Sequence, residues 1–175
     1  MQYIIRKATE QDLTKAREIY GIARNFMRDN GNLTQWGKGD EPENLTEDDI
    51  RQGNLYALTD NAGEIHAVFV FMIGEDPTYL KIEQGNWISA EPYGVVHRVA
   101  SDGSVHGVLG RIMDYCKGQM PHLRIDTHED NKVMQHVIEK CGFVFRQEGE
   151  FYAERLNRNF QSYEYCLEKE QMEKK

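Results

Sequence analysis

Cysteine is scarce and scattered. The three thiols, Cys116, Cys141 and Cys166, are odd in number and form no CxxC pair, which excludes a disulfide framework and fits a reducing compartment. Basic charge is also short: 21 Lys and Arg stand against 29 Asp and Glu, for a net charge of −8. No basic cluster offsets that balance, so a nucleic-acid backbone is not the expected partner. Long apolar runs are missing as well. The start, "MQYIIRKATEQDL", has neither the basic nor the apolar segment of a secretion signal, and no run reaches membrane-spanning length. No internal repeat, low-complexity tract or linker interrupts the chain. The expectation is a soluble, cytoplasmic protein with no membrane partner. Its 175 residues suffice for a single domain over 1–168, with a core that needs no staples, and a charged tail at 169–175 is expected to fray.

What is present alternates between strand and helix patterns. Tyr3 to Arg6 reads as a short strand, and Thr9 with Asp12 as an N-cap pair opening a helix. Leu13, Ala16, Ile19, Tyr20, Ala23, Phe26 and Met27 then recur at three and four residues, which predicts one apolar face. "DNGNLTQWGKGDEPENL" is rich in turn formers and predicts a loop carrying Trp36, either as a pocket wall or as a cover on the core edge. Thr46 and Asp49 read as caps of a short helical turn. Leu55 to Leu58 and Ile65 to Ile73 are β-rich and are joined by "TDNAGE", a hairpin signal. Tyr79 to Ile88 is ambiguous, whereas "YGVVHRVA", from Tyr93 to Ala100, has the apolar, β-branched character of a central strand. "LRIDTHEDN" predicts a strand ending in polar residues, and "NKVMQHVIEKCGF" a helix stopped at Gly142. Phe143 to Phe145 and Tyr163 to Leu167 supply two last strands. One α/β domain with a mixed sheet is the economical reading.

Between the central strand and the next helix lies "DGSVHGVLGRIMDYC", from Asp102 to Cys116, with glycines at 103, 107 and 110. Glycines at the mouth of a helix leave main-chain amides open to an anion, because the first amides lack intrahelical acceptors and the helix dipole is positive there. A tight loop without a ligand is the alternative.

Strand, Gly-rich loop, helix, strand, then an Asn-started helix closing on "GF": this order resembles the acetyl-CoA-binding half of the GNAT N-acetyltransferases. The residues that carry the resemblance are "HRVA" before the loop, Gly107 within it, "DTHEDN" after the next strand and "EKCGF" at the end of the following helix. "IRKATEQDL" and "YEYCLEK" extend it towards both ends. The resemblance implies an α/β fold: a mixed, strongly twisted, largely antiparallel sheet flanked by helices, with a central V-shaped cofactor cleft. It implies acetyl-CoA as acyl donor, no metal, and a primary amine of a small molecule or peptide as acceptor. Family members often pair, which leaves a homodimer open. The acidic balance mildly favours a cationic amine.

The family's loop pattern is Gln or Arg, two residues, Gly, one residue, then Gly or Ala. It falls on Ser104, Val105, His106, Gly107, Val108 and Leu109, and only Gly107 matches. Leu109 places a branched side chain where a small one is usual, and Gly110 is the alternative small residue. Because the family holds pyrophosphate mainly through main-chain N–H groups, Val105 to Gly110 are expected to supply them. The main chain of His97, Arg98 and Val99 is expected to pair with the pantetheine arm like an added strand. Period-two alternation puts Tyr93, Val95, His97 and Val99 on one face and Arg98 on the other, which makes Tyr93 and His97 the catalytic candidates. His97 suits proton removal from an ammonium, against the alternative of a buried structural histidine. The family's frequent Tyr acid falls on Ile138, so that acid is missing. Asn131 matches a cofactor-contacting Asn and equally a plain N-cap. Two rival readings stand beside this one: a domain of the same fold that binds CoA or a small ligand without catalysis, and a metal-dependent hydrolase using Asp126, His128, Asp130 and His136, whose spacings fit no established zinc pattern.

Overall fold

A computed structural model describes residues 2–33, 35–36, 44–79, 86–150 and 159–166. The expected frayed tail at 169–175 and the middle of the Tyr79-to-Ile88 stretch lie outside the described residues. In chain order the elements are β1 (Tyr3–Lys7), α1 (Leu13–Asp29), α2 (Leu45–Arg51), β2 (Leu55–Asp60), β3 (Ile65–Ile73), β4 (Gly94–Ser101), α3 (Val108–Gln119), β5 (His122–His128), α4 (Lys132–Lys140), β6 (Val144–Glu150) and β7 (Asn159–Cys166). Among the described residues seven strands follow the order β1-β2-β3-β4-β5-β7-β6. β4 and β5 run parallel over Gly94–Val96, and β1/β2, β2/β3, β5/β7 and β6/β7 run antiparallel. The sheet is therefore mixed and mostly antiparallel, as expected, with helices flanking it.

Two compact units divide the chain, residues 1–71 with 97–112 and residues 72–96 with 113–175. In the first, the N-cap pair is in place: the Thr9 N–H donates to Asp12 Oδ2 at 2.7 Å, and the Asp12 N–H returns to the Thr9 carbonyl at 2.9 Å. It opens a short 3-10 turn that runs into α1. Ala16, Ile19 and Tyr20 of α1 pack with Leu55, Ala57, Val68 and Val70 of the β2–β3 hairpin. Phe26, predicted on the same face, is 57% exposed, so the buried stripe stops short of the last turn. Trp36 covers the core edge, its ring edge-on to Tyr20 at 5.6 Å. Thr46 and Asp49 do not cap α2. The helix starts at Leu45 after Asn44, a residue that tolerates the left-handed conformation found there (φ +67°), and this places Thr46 and Asp49 inside the helix, both buried. The hairpin turn is closed by Asp60 Oδ1, which accepts the N–H groups of Ala62 and Glu64 at 2.9 and 3.0 Å.

In the second unit β5 is paired along its whole length with β7, from His122↔Cys166 to His128↔Phe160. Its alternate residues divide sharply: Leu123, Ile125 and Thr127 on one face, His122, Arg124, Asp126 and His128 on the other. α4 ends as read, with Gly142 in the left-handed region (φ +87°) and its N–H on the Glu139 carbonyl at 2.9 Å.

Candidate functional site

β4 is buried at Val95 and Val96 and again at Ala100, but His97, Arg98 and Val99 between them are part-exposed. The pairing of β4 with β5 runs over Gly94–Val96, so the three residues expected to bind an extended arm lie beyond it. Arg98 interrupts the strand there: its φ of +48° lies in the left-handed region, which costs a non-glycine residue about 1–2 kcal/mol. Its guanidinium is fastened within the first unit, Nη2 donating to Asp49 Oδ2 of α2 at 2.5 Å. Strict period-two alternation therefore runs only as far as His97 and does not carry on to Val99.

The strand leads into the glycine loop of the same unit. Asp102 Oδ1 accepts from the Ser104 N–H at 2.8 Å and from the Ser104 hydroxyl at 2.6 Å, a turn that reverses the chain after β4. Gly107 has φ +70°, a conformation that side chains disfavour, and a Cβ placed on it would meet no atom within 4 Å. Its carbonyl accepts the Arg111 N–H at 3.2 Å, so the amides of Val108, Leu109 and Gly110 precede the first helical hydrogen bond of α3. Val108 and Leu109 turn their side chains into the core, at 9% and 7% exposure. The branched Leu109 therefore does not cover the open side of the loop, and Gly110, also with nothing within 4 Å of its Cβ position, is the bare residue of this first turn. Val105 is half-buried and His106 exposed. A main-chain cradle of this kind, free of side chains and at the positive end of a 12-residue helix, fits a phosphate group. The Ser104 hydroxyl donates within this turn, and the residue is exposed.

Tyr93 belongs to the second unit and is 7% exposed. Its hydroxyl accepts the Asp76 N–H at 3.3 Å. The Arg124 guanidinium lies 3.7 Å from the Tyr93 ring centroid and 4.0 Å from that of Trp87, donates to the Ser89 carbonyl at 2.9 Å and meets Glu164 Oε1 at 3.3 Å. Glu164, fully buried, also accepts from the Ile88 N–H and pairs with His122 Nε2 at 2.5 Å. Burial alone would raise the Glu164 carboxyl, but the hydrogen bonds from His122 and Ile88 and the charge of Arg124 outweigh it and hold it below the usual range. Tyr79 donates its hydroxyl to Asp126, and burial followed by the Asp126 charge pushes its phenol well above the ordinary value. Sequence reasoning missed this network. The signal for it was the alternation of polar residues at 122, 124, 126 and 128 in β5.

Asn131 is the N-cap of α4, its Oδ1 accepting the Met134 N–H at 3.2 Å. Ile138, at the place of the family's Tyr acid, is fully buried. Asp126 is bonded to Tyr79, His128 Nδ1 takes the Asp130 N–H at 3.2 Å, and His136 is exposed. Among the described residues no three His, Cys, Asp or Glu side chains gather as a metal ion requires, so the four proposed hydrolase ligands do not form one set.

No protein-family model matches the chain, and no curated protein does. Solved structures do. A GNAT-family acetyltransferase from Streptococcus agalactiae is similar over 94% of this chain and 95% of its own, with a TM-score of 0.81 at 22% identity. A second, from Listeria monocytogenes, is similar over 93% of each chain with a TM-score of 0.67 at 15% identity. The ribosomal-protein-S18-alanine N-acetyltransferase of Escherichia coli is similar over 95% of this chain and 94% of its own, with a TM-score of 0.61 at 13% identity. At these identities the likeness is one of fold.

Proposed function

Because the chain has the fold of the GNAT acetyltransferases, we propose that it is an acetyl-CoA-dependent N-acetyltransferase that moves an acetyl group to a primary amine of a small molecule or peptide by direct attack in a ternary complex. The observation that carries this reading is the open main-chain turn at Gly107, running into α3 with Val108 and Leu109 buried beneath it. Main-chain N–H groups between Val105 and Gly110 hold the diphosphate, and the part-exposed stretch His97–Val99 holds the pantetheine arm. Asn131 is proposed as a cofactor contact on the resemblance alone. Acetyl-CoA, when bound, supplies an acetyl group activated as a thioester. His97 accepts the proton of the acceptor ammonium, so that a neutral amine is the nucleophile. A main-chain N–H beside His97 donates to the carbonyl oxygen on which charge develops. Tyr93, its hydroxyl held by Asp76, is the second catalytic candidate.

The aliphatic Ile138 in place of an acid favours a second reading, a CoA-binding domain without catalysis. Release of CoA thiol across a panel of primary amines separates the two. Turnover is expected, with kcat lowered about 10²-fold or more in His97→Ala at unchanged acetyl-CoA affinity. Saturable acetyl-CoA binding with no turnover on any amine would favour the binding domain.

A further inference from the structure

We propose that His66 of β3 is a positioning residue for the glycine loop: the structure sets its imidazole between the Asp60 and Asp102 carboxylates, where it locks the Asp102–Ser104 turn and screens the Asp102 charge from an anion bound by the loop. The inference rests on the acetyl-CoA reading above. His66 Nδ1 stands 2.9 Å from Ser104 Oγ and 3.2 Å from Asp102 Oδ2. The single hydroxyl proton of Ser104 goes to Asp102 Oδ1 at 2.6 Å. Both neighbours of Nδ1 are then acceptors, so Nδ1 carries the proton. On the other side of the ring, Nε2 is 3.6 Å from Asp60 Oδ2, a carboxylate that already accepts two turn amides. The main chain repeats the link, the Asp102 N–H donating to the His66 carbonyl at 3.0 Å. Tyr3 of β1 closes the ring's edge at 6.1 Å and itself carries the Arg111 guanidinium of α3 at 4.9 Å from its centroid. His66 thus joins β2, β3 and the loop at one imidazole.

The chemistry explains why such a clamp is needed. A loop that cradles a diphosphate begins here with a carboxylate, which repels the anion across a partly desolvated surface. A histidine donating to that carboxylate lowers its effective charge and keeps the Ser104 hydroxyl engaged within the turn, leaving the main chain as the binding surface. Burial alone would raise the Asp102 carboxyl, but the hydrogen bonds from Ser104 and His66 together outweigh it and hold it below its usual range.

The test is calorimetric titration of acetyl-CoA into the unaltered protein and into His66→Ala and His66→Gln, each with and without Asp102→Asn, with a thermal melt of every variant. Asn at 102 keeps an oxygen for both Ser104 bonds and removes the charge. His66→Ala is expected to weaken acetyl-CoA binding about tenfold, and Asp102→Asn to restore it to within about threefold of the unaltered protein. If His66→Ala does not fold, His66→Gln, which fills the same space, carries the comparison. Unchanged affinity in the His66 single variants, or a loss that Asp102→Asn does not recover, overturns the assignment of His66. No saturable binding by the unaltered protein would instead overturn the acetyl-CoA reading, and this inference with it.

Discussion

Asp12 shows how a single side chain ties strand, turn and helix together. Its carboxylate accepts from Arg6 Nη1 and Nη2 at 2.7 and 2.9 Å and from the Thr9 N–H and hydroxyl at 2.7 and 3.0 Å. The Arg6 hydrogen bonds lead, opposed by burial, and bring its carboxyl down to about 2. A carboxyl depressed in the folded state stabilises fully above its unfolded value near 4 and loses that contribution as pH falls towards 2. Asp12→Asn is expected to cost roughly 1–2 kcal/mol at neutral pH, after allowance for the half-exposed Arg6, and to flatten the fall in Tm between pH 4 and 2. Thermal melts across that range check both. The Thr9–Asp12 pair was legible because a capping signal is local. The His66 partners were not, since nothing in the spacing of a sequence tells which distant carboxylates an imidazole will meet.

At the scale of elements, β4 departs most from its sequence pattern. An apolar, β-branched run announces a central strand correctly, yet the left-handed turn at Arg98 has no local signature, because arginine has no preference for positive φ. What holds it is tertiary, the Asp49 contact from α2. Two costs are then separable. Arg98→Ala keeps the backbone strain and removes the ion pair with Asp49, for an expected loss of about 1–3 kcal/mol, whereas Arg98→Gly relieves the strain and should be about 1 kcal/mol milder. Equal destabilisation by the two in urea melts would show that the backbone conformation carries no strain. Elsewhere the elements lengthen rather than change: Phe143 to Phe145 predicts a three-residue strand, and β6 spans Val144–Glu150 because β7 supplies a partner along it. Thr46 and Asp49 mislead for the opposite reason, looking like caps while their burial places them inside α2.

For the molecule as a whole, order of elements was more informative than any motif. The loop pattern matches the family at Gly107 alone, and the sequence left open whether Leu109 blocks it. Burial of Leu109 and the open position at Gly110 answer that question in packing, which single-sequence periodicity does not resolve for a helix's first turn. The network around Arg124 and Glu164 was not legible, because it depends on pairings between β5 and β7 forty residues apart. No described helix is long and apolar enough to cross a membrane. The central claim is that bare main chain at the start of α3 binds the diphosphate of acetyl-CoA. Gly110→Val tests it most directly, since Gly110 lies in helical conformation and gains a side chain without strain at positive φ. Calorimetric titration with acetyl-CoA, with ATP as the control, should show saturable binding of acetyl-CoA and not of ATP by the unaltered protein, and at least about tenfold weaker binding by the variant at unchanged Tm. Equal binding by Gly110→Val, or none by the unaltered protein, would contradict the account.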